Sequence, residues 1–138
     1  MIDNEIREHI DKISSQMRRQ YAEMLRELDL HVGQDNLLCK LWRENGITQM
    51  QLTEQLNCEP PTVTNMVKAL EKKGVVFRKK DPEDGRVSRV YLTEKGIALR
   101  KPVEQMYRKQ QEKLLKGLTE ENRVLLNQFL QQMEENLR

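Results

Sequence analysis

At 138 residues and 16.4 kDa the chain has the length of a single domain that can bury a core, and no apolar run approaches the roughly 20 residues a membrane span needs. Charged residues make up 33% and aromatics 4%, the balance of a helix-rich chain with wide solvated faces. The net charge of +2 does not advertise a polyanion partner for the chain as a whole, and two cysteines are too few for a disulfide framework.

The N-terminus, MIDNEIREHIDK, is charged from its third residue. It carries no secretory pattern, so free thiols in a cytoplasmic setting are expected. From there Ile6, Ile10, Ile13, Met17, Tyr21, Met24 and Leu28 recur at steps of four, three, four, four, three and four, a repeat every eleven residues. That is roughly 3.67 residues per turn, which keeps the stripe on one face of a nearly straight helix. Such a stripe has to be buried, against a core helix or against a partner subunit.

Gly33 interrupts the period. Leu37, Leu38, Leu41 and Trp42 then form a second apolar segment, closed by the helix-ending pair Asn45-Gly46. Cys39 within it reads as a small buried hydrophobe, with a reactive thiol as the other reading. Thr48 followed by Gln51 is a capping box opening a short helix that Asn57 ends. Pro60 and Pro61 then start another helix at positions whose amides have no intrahelical acceptor, and Gly74 stops it after about Lys73.

Val63, Met66, Val67 and Leu70 give this second helix an apolar face. Opposite stand Pro61, Thr64, Asn65, Lys68 and Lys72, with Thr62 at the tip. Amide and hydroxyl groups suit base edges, and ammonium groups suit phosphates, so this face has the chemistry of major-groove insertion.

Two strand patterns follow, around 75–80 and 86–92, joined by the turn-forming run DPEDG. Between Lys72 and Arg89 stand seven basic residues against three acids, a local excess of +4 that leaves −2 for the rest of the chain. A basic patch on a near-neutral background is how a phosphate-binding face looks, although a charge run alone also fits a solvated surface. Thr93 is an N-cap for a helix expected to run to about Lys116. After Gly117-Leu118, Thr119 caps a final helix whose stripe is Leu126, Phe129, Leu130, Met133 and Leu137.

The stretch from Thr48 to Gly96, with DPEDGR at the hairpin tip and YLTEKG after it, resembles the MarR (multiple antibiotic resistance regulator) family. The most specific element is Asp84-x-Arg86 followed by Leu92-Thr93 and Gly96. The resemblance extends to the flanking helices. It implies a mainly α fold with a small β-hairpin wing, a winged helix-turn-helix over about 32–96 within a single domain of 1–138. The second helix of the pair, about 60–73, would enter the major groove, and the wing, about 75–92, would carry Arg86 to the minor groove with Asp84 as its brace. Residues 1–30 and 97–138 would supply dimerisation helices, with Ile6, Ile10, Ile13, Leu126, Phe129, Leu130 and Met133 at the seam.

The expected partners are therefore double-stranded DNA carrying an inverted repeat and a second copy of the chain. The expected DNA contacts are Pro61, Thr62, Thr64, Asn65, Lys68, Lys72, Arg86 and Arg89. Many members carry Arg where this chain has Asn65. Asn suits adenine and Arg suits guanine, so base preferences do not carry over. The family also implies control, commonly by a small aromatic effector. Met17, Tyr21, Met24, His31 and Trp42 could line its cleft, or be ordinary core or seam. Cys58, in the turn before the second helix, is the residue a redox sensor of this kind would use. Competing readings are a winged-helix protein-interaction or non-specific architectural module and, less well supported, an enzyme. His9 and His31 are isolated and no metal-ligand spacing appears, so no catalytic site, metal or cofactor is expected.

Overall fold

The N-terminal apolar period forms α1, Ile2–Glu27, in a computed structural model that describes residues 1–138. Its N-terminal stripe stays on the surface, with Ile6, Ile10 and Ile13 each a little over 40% exposed. Only Leu25 is fully buried along this helix, a position beside the stripe rather than on it.

The next helix, α2, spans Gln34–Arg43 with Gly33 at its N-cap and buries Leu37, Leu38 and Leu41. Helix α3, Gln49–Leu56, opens on the capping box expected at Thr48: its hydroxyl accepts the Gln51 N–H, and Gln51 reaches back to the Thr48 N–H. Asn57 ends it in the left-handed conformation, at φ 52°. Helix α4, Pro60–Lys72, begins on the two prolines and buries Val63, Val67 and Leu70. It packs on α3 and leads into the hairpin.

The hairpin is β1, Val76–Lys80, antiparallel to β2, Ser88–Leu92, in the register Val76 opposite Leu92 to Lys80 opposite Ser88. Val76, Val90 and Leu92 face the core. On the other face Phe77 stacks on Tyr91, with ring centroids 5.4 Å apart. The segment ahead of α3 joins the same sheet. The Gly46 N–H donates to the Val90 carbonyl, the Val90 N–H to the Ile47 carbonyl, and Thr48 stands opposite Arg89. The start of α3 is thereby fixed to the wing.

After the wing the expected single helix is broken in two: α5, Glu94–Ala98, and α6, Arg100–Leu114. Pro102 explains the break. It has no N–H for the Ala98 carbonyl, and its ring crowds that same carbonyl. Thr93 caps α5 by accepting the Gly96 N–H.

Two compact units emerge, Met1–Gln105 and Met106–Arg138, with the boundary inside α6. In the second, Gly117 turns the chain into α7, Glu120–Asn136, capped by Thr119, whose hydroxyl accepts the Asn122 N–H. Arg123 ties the turn together by donating to the Leu115 and Leu118 carbonyls. No residue of α7 is buried.

Candidate nucleic-acid interface

On α4, Pro61, Asn65, Lys68 and Lys72 fall at steps of four, three and four, so they form one exposed stripe opposite the buried valines and leucine. Thr62 lies exposed at one edge of this stripe. Thr64 lies half-buried at the other, where its hydroxyl proton is engaged: it donates to the Pro60 carbonyl at 3.0 Å, and the oxygen accepts an N–H from the Gln49 side chain at 3.0 Å. Thr64 therefore has no free proton to offer a base, a restriction that helical spacing alone does not reveal. Gln49 is absent from the contacts expected on sequence grounds. Its place just inside the capped start of α3 is the only local signal for it.

The wing tip is built by two carboxylates. The Asp81 side chain accepts the N–H groups of Glu83 and Asp84, which fold the turn. Its other oxygen accepts Arg89 Nε at 2.7 Å, and Arg89 also donates to the Gly46 carbonyl at 2.9 Å. Arg89 is thus a half-buried clasp between the wing and the segment before α3, rather than a side chain projecting outward. Asp84 holds Arg86 from two sides, accepting Nε at 3.1 Å and Nη2 at 3.4 Å, and also takes the Arg86 backbone N–H. The Arg86 side chain remains 92% exposed. It is held by Asp84 at its guanidinium yet open to solvent.

The other basic residues divide in the same way. Arg78 pairs with Glu71 at 2.8 Å, and Lys73 donates to the Asp29 carbonyl at 2.6 Å and to Gln34. Lys68, Lys72, Lys79 and Lys80 are exposed. The surface that can meet a polyanion is therefore smaller than the basic run suggests.

Hydrogen bonding to Arg89, followed by the Glu83 and Asp84 backbone N–H groups, lowers the Asp81 pKa below its ordinary 3.8. Hydrogen bonding to the Arg86 side chain, then to its N–H, lowers Asp84 likewise. A depressed carboxylate stabilises the fold above its unfolded-state pKa and stops doing so as pH falls through the folded-state value. The wing tip is therefore expected to be unchanged from pH 8 down to about 5, with the amide resonances of Glu83 and Arg86 moving only below the ordinary value of 3.8. A midpoint at or above that value would contradict the network.

The residues named for an effector cleft come from α1, the turn after it and α2. Met17, Tyr21 and Met24 lie half-buried on one face of α1. Burial, and then the Asp35 carboxylate, push the Tyr21 phenol above its ordinary range. His31 is exposed, and half-buried Trp42 donates its indole N–H to the Gly96 carbonyl at 3.0 Å. A cleft of about 500 Å³ is lined by none of these five but by Lys40, Arg43, Glu44 and Gln55. Cys39 and Cys58 form no disulfide and are half-buried, and the Cys58 thiol points back to the Leu56 carbonyl at 3.4 Å. No group of three or more His, Cys, Asp and Glu side chains is gathered as a metal centre requires.

The MarR family model matches residues 31–88, from the start of α2 to the wing. An organic hydroperoxide resistance transcriptional regulator of Bacillus subtilis (strain 168) is 34% identical over 87 residues, 63% of this chain and 59% of that protein. The solved structure of the transcriptional regulator SlyA superposes with a TM-score of 0.88 at 26% identity, covering 96% of this chain and 93% of that one. Over residues 31–88 the chain matches the MarR family, and it shares the fold of this regulator. A further MarR-type neighbour, S. aureus MepR solved as a complex with DNA, gives a TM-score of 0.83 at 26% identity over 94% of each chain. The chain spans 59% and 62% of the length of two B. subtilis relatives it matches. The family and these relatives are transcriptional regulators, not enzymes. No helix is long and apolar enough to cross a membrane.

Proposed function

We propose that this chain is a sequence-specific, DNA-binding transcription regulator of the MarR family that acts as a homodimer on an inverted repeat, as a repressor released by a small ligand. The observation that carries this reading is the pairing of two exposed groups on rigid supports. One is the Asn65–Lys68–Lys72 stripe of α4; the other is the braced Arg86 at the wing tip. Asn65 offers the donor and acceptor that match an adenine edge, the lysines offer charge to phosphates, and an arginine fits the narrow, electronegative minor groove. The neighbour solved with DNA supports the same use of the fold.

One copy presents only half of such a site. Two copies related by a two-fold axis would set their α4 helices about one turn of DNA apart, roughly 34 Å, so an inverted repeat is expected. The exposed Ile6, Ile10 and Ile13 on α1 and the apolar residues of α7 are the surfaces we assign to pairing. For a ligand, the half-buried Met17, Tyr21 and Met24 face of α1 is the assigned surface.

Selection of bound duplexes from a random pool tests the assignment. Wild type should enrich an inverted repeat. On that sequence Asn65→Ala should lose discrimination at one base position per half-site, by on the order of 1–3 kcal/mol. Arg86→Ala should weaken binding about tenfold, with the loss concentrated on sequences with a narrow minor groove. Equal affinity for the selected and random duplexes would favour a non-specific architectural role instead. Binding unchanged in both variants would remove these residues from the interface.

A further inference from the structure

The hydrogen bonds at the edge of α4 redistribute roles among residues that look alike in sequence. A threonine hydroxyl has one proton and two acceptor sites. In Thr64 the proton goes to the Pro60 carbonyl, and one acceptor site takes the Gln49 amide, both at 3.0 Å. A phosphate oxygen only accepts, so Thr64 cannot bind one without giving up its bond to Pro60. Gln49 stands differently. One N–H of its amide is held by Thr64, which fixes the plane of the group, and the second N–H is left as an oriented donor. The side chain springs from the first residue of α3, and in a helix-turn-helix the first helix crosses the DNA backbone while the second lies in the groove.

From this we infer that Gln49 is a DNA contact, taking a backbone phosphate, and that Thr64 is the positioning residue that aims it. The inference rests on the DNA-reading role proposed above. Gln49 then adds affinity and sets how α4 sits relative to the backbone, without reading sequence. The neutral amide distinguishes it from the exposed lysines. It releases no counterion, so removing it should leave the salt dependence of binding as it is, whereas losing Lys68 or Lys72 should reduce the slope by about one.

The test is a double-mutant cycle on the selected inverted repeat, using Gln49→Ala, Thr64→Val, the combination, and Thr64→Ser. Each of the first two should weaken binding roughly tenfold, as expected for one hydrogen bond to a charged acceptor. The combination should lose no more than either alone, because both remove the same contact. Thr64→Ser keeps the hydroxyl and should bind like wild type. The loss should be equal across a panel of base substitutions, and the salt slope should not change. A merely structural Thr64 would lower the melting temperature, so equal melting of Thr64→Val and wild type is part of the expected result.

A shift in preference at any base position for Gln49→Ala overturns the phosphate assignment. Additive losses overturn the positioning role of Thr64, and so does Thr64→Ser binding as poorly as Thr64→Val. Should wild type fail to prefer the selected duplex over random DNA, the DNA-reading assignment falls. Should wild type prefer it while Gln49→Ala binds normally, only this inference falls.

Discussion

A Phe129→Asp, Leu130→Asp double variant is expected to be monomeric and to bind the full inverted repeat two to four orders of magnitude more weakly, which is roughly what linking two half-site contacts adds. Phe129 is 59% exposed and Leu130 41%, and Val124, Leu125 and Leu126 on the same helix are 58%, 47% and 38% exposed. Burying such side chains is worth about 1.5–3 kcal/mol each, so five of them exposed on one 17-residue helix support the pairing role proposed for it. No residue of α7 is buried, so the change removes nothing from a core. Melting of the reader should therefore survive the change. Light scattering in line with size-exclusion chromatography gives the mass, and titration against full and half operators gives the affinity. The variant should bind both duplexes equally. A variant that stays dimeric, or one that is monomeric yet keeps the affinity for the full repeat, would remove α7 from the pairing surface.

Features written in a few adjacent residues were legible in the chain. The capping box at Thr48, the N-caps at Thr93 and Thr119, the prolines opening α4 and the helix end at Asn57 all stand where the sequence put them. Each is a contact between near neighbours, so no knowledge of the fold was needed. The misses involve partners far apart in the chain. Arg89 reads as one more cation until the hairpin register brings Asp81 and the Gly46 carbonyl to it. Thr64 reads as a base contact until α3 is packed against α4 and Gln49 reaches its hydroxyl. Leu25 falls off the stripe because the apolar period of α1 marks a face that is exposed over Ile6 to Ile13, while full burial falls one position to its side. The break between α5 and α6 is a different case. Pro102 is a local signal for it, and the expectation of one helix from Thr93 to about Lys116 passed over that proline.

The same dependence on long-range packing predicts the largest effect on stability. Gly96 lies at the junction of three elements and is buried. Its N–H donates to the Thr93 hydroxyl, its carbonyl accepts the Trp42 indole N–H from α2, and a Cβ built on it would collide with the Val75 carbonyl oxygen and press on Leu92. That carbonyl is held in place, because it accepts the Thr93 N–H at 3.0 Å while the Thr93 hydroxyl ties down the neighbouring Gly74 carbonyl at 2.6 Å. Gly96→Ala must then push α5 away from the base of the wing and pull the Gly96 carbonyl from Trp42. Overpacking against fixed backbone costs on the order of 3 kcal/mol. In a chain of 138 residues that is a fall of roughly ten degrees in Tm. The emission of Trp42, the only tryptophan, should shift to the red as its N–H is released to water. Gly85, in the wing loop, has open space for 4 Å around the position a methyl group would take and no left-handed backbone, so Gly85→Ala serves as the neutral comparison. If Gly96→Ala melts like Gly85→Ala with unchanged Trp42 emission, the junction is not held by the close approach of these two backbones.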